Sequence, residues 1–352
     1  MLIINNRVNW FIKNQHMKEL PVFENRDQKS SYFNLVTINN IEDVVKCLDP
    51  IFNEESSRWA FRGVNNASYR MFSSIQRRWY WDGLQDFYKD MQSYIMHQIT
   101  KVRKSKFISK NLCYDNDYNI LAMIQHYGGS SNLIDFSYSP NSAFYFAWEG
   151  FDNHIPMDGT LKDYVSLYMV NYKHPDFAGP LEVHNNASKD IERLVKDSKI
   201  PPEKIDASIV LENLEKIPYN KIYDCTIIEG GSHGNIHMNI PCFNFEKSVQ
   251  VSNSNITAQN GCFIQASSDE KPLEQLIYEK SMSHHFLNCF DIHKNLVDII
   301  CKRYNIQTNR GLIYPQEYAL RVLYKNIKQL DKHVFREWLF NKCNKFEFKI
   351  SE

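Results

Sequence analysis

Apolar positions along the chain recur at three to four residues in some stretches and cluster or alternate in others, and this pattern divides it into helices and strands. Asn40-Ile41-Glu42-Asp43-Val44-Val45-Lys46-Cys47-Leu48 predicts a short amphipathic helix. It should stop at Asp49-Pro50, because proline disfavours the helical state in the residue before it. Arg58-Trp59-Ala60-Phe61-Arg62-Gly63 reads as a buried strand running into a glycine. From Trp79 to Lys110 the spacing of Leu84, Phe87, Met91, Ile95 and Ile99 predicts one long helix with a basic end. Tyr164 to Val170 is β-rich on both faces and should lie centrally in a sheet. Residues 173–220 are charged, carry Pro201-Pro202 and read as a surface insertion of short helices. Ile222 to Ile228 returns as a strand, Cys262-Phe263-Ile264 enters another, and Glu274 to Lys280 opens a helix. From Asn288 onward the tail reads as helical, through Leu296–Ile300, Tyr318–Tyr324 and Val334–Phe340.

The densest local signals lie in residues 121–147. A helix pattern through Leu121, Ile124 and Tyr127 stops at Gly128-Gly129, where glycine can supply a left-handed residue. Leu133-Ile134-Asp135-Phe136 follows as a strand. Ser139-Pro140 then starts a new helix, serine as N-cap and proline at the first helical position, ending before Gly150. The polar residues His126, Asp135 and Ser137 stand at the junctions, where side chains can face a cleft.

The helix-flanked strands follow in α+β order, with a mixed or antiparallel sheet at the core and a helical C-terminal part. No clean linker separates independent domains. Residues 1–37 form an N-terminal arm, 38–326 one core domain, and 327–352 a basic helix packed on it. The 352 residues, 43% hydrophobic, suffice to bury such a core. Acids and bases balance at 41 each, so no global field draws the protein to nucleic acid or membrane. No apolar run approaches the roughly 20 residues of a membrane helix. Eight cysteines without Cys-x-x-Cys spacing read as reduced thiols in a cytoplasmic protein.

The order of several blocks resembles the FRG-domain family, named for a Phe/Tyr-Arg-Gly strand. They are Trp59-Ala60-Phe61-Arg62-Gly63, Ser74-Ile75-Gln76-Arg77-Arg78, Gln125-His126-Tyr127-Gly128, and Asn132 to Pro140 with Ala143 to Ala147. Ala258-Gln259-Asn260-Gly261-Cys262-Phe263 and a closing Tyr304-Asn305-Ile306 with Leu312-Ile313-Tyr314-Pro315 complete the series, across residues 38 to about 326. A looser similarity connects Phe61-Arg62-Gly63, Asp135-Phe136-Ser137 and Gln259-Asn260-Gly261 to the three motifs of NAD-using ADP-ribosyltransferases. No glutamate stands at the third block, where that family carries its catalytic carboxylate. The role then passes to an amide or to another acid.

The resemblance implies an ADP-ribosyltransferase-like fold and an NAD-consuming enzyme, a transferase or NAD glycohydrolase, with NAD as substrate and no metal. It also implies a toxin or phage-defence role, a macromolecular acceptor, and an antitoxin or activator as partner. Arg62, Ser137, Gln259 and His126 would be the catalytic set, and Arg62, Gly63, Asp135 and Tyr138 the dinucleotide-binding set. Arginine suits a pyrophosphate, which its planar fork binds bidentately. Gly63 has no Cβ to obstruct a ligand. Ser137 either holds the ribose or buttresses the third block. Gln259 can bind a ribose hydroxyl, and His126 can donate to a ligand or carry a proton near neutral pH.

Plainer readings compete at each position. Arg62 can instead bridge to Asp135 inside the core, and His126 can cap its helix. Asp135 can be a structural acceptor, Gln259-Asn260-Gly261 only a turn, and Tyr145 and Phe146 core residues. Two ligand sets, Cys225/His233/His237/Cys242 and the helical i, i+4, i+8 trio His285/Cys289/His293, are weaker zinc candidates. Two rival functions remain: a non-catalytic nucleotide-sensing or protein-interaction module, and an RNA- or DNA-acting protein. The last would use the basic stretches Lys101–Lys110 and Lys325–Lys349, although Phe335, Trp338 and Phe340 at that spacing suit the buried stripe of a helix.

Overall fold

The computed structural model describes residues 19–53, 59–84, 91–106, 117–149, 158–171, 225–229, 254–266, 270–281, 287–306, 310–315 and 317–350. The expected insertion at 173–220, the basic positions 107–110 and the ligand candidates His233, His237, Cys242 and His285 lie outside them.

Among the described residues seven strands form one sheet. They are β1 (Asn34–Ile38), β2 (Trp59–Val64), β3 (Leu133–Ser137), β4 (Tyr164–Asn171), β5 (Cys225–Glu229), β6 (Gly261–Ala266) and β7 (Leu287–His293), in the order β1-β7-β4-β2-β3-β6-β5. β1 runs parallel to β7, and the other neighbours pair antiparallel. The fold is therefore α+β around a mixed sheet. Alternation along the strands sends side chains to two faces. On β4, Tyr168 and Val170 join one apolar cluster with Ala60 and Ile134, while Val165, Leu167 and Met169 join another with Phe61 and Ile292.

Helix α1 (Arg26–Ser30) precedes β1, and α2 (Ile41–Asn53) packs on the face of Val165 and Leu167. α3 (Ser74–Trp81), α4 (Met91–Lys104) and α5 (Asp117–His126) enclose a third apolar cluster with the C-terminal helix. α6 (Pro140–Trp148) lies on β2. The short α7 (Ser254–Ala258) leads into β6, and α8 (Leu273–Ser281) covers the Ala60 face. α9 (Val297–Arg303), α10 (Arg310–Ile313) and the 34-residue α11 (Glu317–Ile350) close the chain.

Local chemistry accounts for the elements that were expected at 121–147. Gly128 takes a φ of +77° at the end of α5, and Ser139 Oγ accepts the Ser142 N–H as the cap of α6. Elsewhere tertiary packing overrides the local signal. α2 runs past Pro50 to Asn53 instead of stopping before it. Asp49 is gripped by Arg303 Nε and Nη2 at 2.9 and 2.7 Å, and Phe52 stacks on Tyr304 at 4.3 Å. These contacts hold the extra turn against the lost backbone donor. The single helix expected over Trp79–Lys110 ends at Trp81, because Asp82-Gly83 turns with Gly83 at φ +68°. Asp-Gly is a turn signal that the apolar spacing concealed.

The largest correction is β7. The tail was expected to be helical from Asn288, yet Leu287–His293 is a strand between β1 and β4. Its buried face reads Leu287, Cys289, Asp291, and the aspartate masks the apolar alternation. The helical ligand trio of His285, Cys289 and His293 falls with it, since positions four apart on a strand do not sit one turn apart. No group of three metal-ligating side chains occurs among the described residues.

The expected boundaries also shift. Position 37/38 falls inside β1, so the N-terminal arm supplies a sheet strand, and position 326/327 falls inside α11. Helix α11 is anchored by Asp331, which accepts from Arg78 Nη1 at 2.6 Å, Gln98 Nε2 at 2.7 Å and the Tyr94 hydroxyl. Its Val334, Phe335, Trp338 and Leu339 are buried against Trp79 and Tyr94, so the aromatic positions of this basic stretch are core. Lys101 at the other basic stretch pairs with Glu337 at 2.8 Å. No described helix is long and apolar enough to cross a membrane.

Candidate active site

β2 and β3 share a single register pair, Phe61↔Ser137, whereas β2 and β4 share six. Beyond that pair the two strands part. A cavity of about 280 Å³ lies there, lined by residues that pack into the α6 cluster (Phe61, Ala143) and into the helical cluster (Ile256, Phe263). Arg62, Gly63, His126, Asp135, Ser137 and Gln259 all line it. Segments separated by some two hundred positions thus converge on one hollow.

Arg62 stands opposite Tyr168 on β4, and its Nη1 donates to the Asp135 main-chain carbonyl at 2.7 Å. The same nitrogen is 3.9 Å from Asp135 Oδ2, the long limit of an ion pair, and the Arg62 side chain keeps 17% exposure. The arginine is therefore tethered but not closed off. Burial pushes its pKa down against the opposing pull of Asp135. Burial and the neighbouring Arg62 charge also push Arg77 down, to about 10, with Asp135 opposing. Both guanidiniums remain cationic at neutral pH. Two such cations behind one carboxylate leave a local excess of positive charge, suited to a phosphate.

Gly63 serves a different purpose from the one expected. A Cβ there would overlap the Ala143 carbonyl and come 2.8 Å from the Ala147 nitrogen, so what the glycine admits is the backbone of α6 rather than a ligand. Ser137 resolves toward buttressing: it is buried, and its Oγ donates to the Gln259 carbonyl at 2.7 Å and accepts from the Ser139 N–H at 2.9 Å. Asn260 takes a φ of +48°, which turns the chain from α7 into β6 and presents Gln259. The Gln259 amide nitrogen donates to the Ile313 carbonyl at 3.2 Å. Tyr138 is not among the lining residues. It shares parity with Ile134 and Phe136 and packs against the apolar cluster that contains them and Ala60.

His126 lines the cavity with Nε2 sealed from water and without a hydrogen-bond partner among the described residues. Burial pushes its imidazole from 6.5 down to about 4, against a weaker pull from Asp135. It is thus neutral at physiological pH, which corrects the expectation of a proton carrier near neutrality. The unfolded chain takes up this proton at a higher pH than the folded one. Stability should therefore be full above pH 6.5 and decline as pH falls toward about 4, by at most about 3 kcal/mol. Urea midpoints at neutral and acid pH should show this decline in the wild type and a flatter profile in His126→Gln. Identical profiles for the two proteins would refute the assignment.

Sequence reasoning missed three participants. Gln125 and Tyr314 line the cavity, and Arg77 adds its charge from behind. All three stand inside the quoted family blocks but received no role. Phe146, expected in the core, is only half-buried and lines the cavity with Tyr314, the rings 6.4 Å apart. Tyr145 is core as expected.

No curated protein and no solved structure matches the chain. The family comparison matches residues 57–154, which include Arg62, His126, Asp135 and Ser137 but not Gln259 or Tyr314. Over that span the chain matches the FRG domain.

Proposed function

We propose that the cavity binds NAD and that the protein cleaves its nicotinamide–ribose bond, passing ADP-ribose to water or to a macromolecule as ADP-ribosyltransferases do. The observation that carries this reading is the meeting of Arg62, Asp135 and Gln259, from three distant segments, in one cavity. Its volume of about 280 Å³ is near the lower end of small-molecule sites, commensurate with the nicotinamide–ribose half of a dinucleotide. Arg62, with the Arg77 charge behind it, would hold the pyrophosphate. Gln259, tied back to β3 through Ser137, would meet a ribose hydroxyl. The neutral ring of His126 and the aromatic faces of Phe146 and Tyr314 would contact the nicotinamide. A toxin or phage-defence effector, with an antitoxin or activator as partner, is the biological setting that the resemblance suggests. Cys47, Cys262, Cys289 and Cys301 are free thiols, which suits a cytoplasmic one.

Purified protein incubated with NAD should release nicotinamide, alone or with a candidate acceptor present. Arg62→Ala should cut kcat/KM by about 100-fold, the scale of losing a charge-assisted contact to phosphate. Absence of turnover, or full turnover without Arg62, would defeat the enzymatic reading. One observation favours a second reading, a nucleotide-sensing module: Gln259 carries no charge and its amide is engaged by Ile313. A saturable thermal shift with NAD or ADP-ribose and no chemistry would select it.

A further inference from the structure

Gln125 ends α5 beside His126, and its side-chain amide has a defined orientation. Its Oε1 accepts from Ser74 Oγ and Ser131 Oγ, both at 2.8 Å. An amide oxygen occupied by two hydroxyl donors turns the nitrogen the other way. There Nε2 donates to Asp135 Oδ2 at 2.6 Å. The serines are themselves located: Ser131 N–H donates to Ser74 Oγ at 2.9 Å, and Leu133 N–H to Ser131 Oγ at 3.1 Å. A chain of hydrogen bonds from α3 and the turn before β3 therefore ends on one oxygen of Asp135.

Asp135 is the one carboxylate among the described residues that line the cavity. Its side chain is 50% exposed, and its Oδ1 accepts no hydrogen bond among the described residues. One oxygen is fixed and the other is open to a ligand. The main-chain tether from Arg62 lies one carbonyl away, so the cation that would bind phosphate and the anion that would face the sugar are held on one residue's backbone and side chain.

We infer that Asp135 is the carboxylate facing the reacting ribose, in place of the glutamate absent from Gln259-Asn260-Gly261, and that Gln125 is its positioning residue. The inference rests on the NAD-cleaving reading. As the C1′–N bond breaks, its electron pair leaves with nicotinamide, which departs neutral, and positive charge gathers on the ribosyl C1′ and ring oxygen. The Asp135 carboxylate lowers the energy of that charge without bonding to it. The oxygen of water, or of an acceptor, then bonds to C1′ and releases its proton to solvent. A preoriented carboxylate does this better than a mobile one, because no reorganisation accompanies the reaction. Arg62 binds the substrate and Asp135 stabilises the charge of the transition state, so the two roles separate in kinetics.

The test uses the full chain with NAD, following nicotinamide release and NAD-induced thermal shift together, with unliganded melting as a check on folding. Asp135→Asn should keep the thermal shift and KM within about threefold and lower kcat by about 100-fold. Gln125→Leu should lower kcat by about tenfold at unchanged KM, as loss of positioning rather than of binding. Asp135→Glu, which restores the charge one methylene away, should recover part of the Asp135→Asn loss. Turnover that survives Asp135→Asn, or NAD binding lost along with it, overturns this assignment and leaves the NAD reading standing. A wild type that binds no NAD and releases no nicotinamide overturns both.

Discussion

Lys29→Met is expected to destabilise the fold by about 3–5 kcal/mol, the scale of leaving a buried charge without its partner. Lys29 and Asp291 are both fully buried and 2.6 Å apart. The ammonium also donates to the Ala67 carbonyl and to Ser166 Oγ, each at 2.8 Å, so three donors meet three acceptors. One side chain thereby pins α1 to β4, to β7 and to the turn after β2. With methionine there, Asp291 would keep the Ser166 hydroxyl and the weak Cys289 thiol as donors but no cation. Urea denaturation measures the loss. The double variant Lys29→Met/Asp291→Leu should regain much of it, because an apolar pair leaves no charge behind. A single-variant loss below about 1 kcal/mol would place this pair in the class of weak surface bridges and refute the expectation.

The pH dependence of this pair has a definite sign. Burial alone pushes the Lys29 ammonium down, but Cys289, Tyr168 and Asp291 together outweigh it and raise it above 10.5. Burial pushes the Cys289 thiol and the Tyr168 phenol up as well, so at neutral pH both are uncharged. A base with a raised folded-state pKa contributes its full stabilisation below the unfolded value and loses it as pH climbs through the folded one. The gap between wild type and Lys29→Met should therefore stay constant from about pH 7 to 9 and narrow only in stronger alkali.

The same pair explains part of what could not be read along the chain. β7 was unreadable because an aspartate occupies a core position, and its partner stands 262 residues earlier on a different element. Pro50 and Gly83 were misjudged in opposite directions. Packing by Arg303 and Tyr304 sustains a helix through the proline, while a glycine turn ends a helix whose apolar spacing runs on. Strong local chemistry, by contrast, carried over directly. Ser139-Pro140 caps α6, Gly128 closes α5, and β3 begins where the apolar run begins. The site was legible to the extent that its residues sit at such junctions. Ser137, His126 and Gln259 end or follow elements, and ends are where side chains escape the core, whereas Arg62 and Asp135 stand inside β2 and β3, beside the gap where those strands part. Gln125 stayed hidden because its role depends on Ser74, 51 positions away. An amide in the last turn before a Gly-Gly break was the available signal.

Gly63→Ala is expected to cost about 3 kcal/mol, as overpacking does when the obstructing atoms are backbone. Gly63 does not adopt the left-handed conformation, so no conformational freedom is at issue. The constraint is the closeness of two elements. An alanine methyl would overlap the Ala143 carbonyl and stand 2.8 Å from its carbon and from the Ala147 nitrogen. Those atoms belong to the main chain of α6 and cannot rotate away, so the helix must move as a body. Ala143→Gly added to Gly63→Ala should accordingly give no rescue, since it leaves the carbonyl in place. Rescue by that second change would show the contact to be a side-chain one. Because Ala143 and Phe146 line the cavity, a shift of α6 also opens its wall. Any NAD-induced thermal shift of the wild type should then be weakened in Gly63→Ala even where the protein remains folded, whereas a variant that loses stability without losing that shift would separate the packing of α6 from the shape of the site.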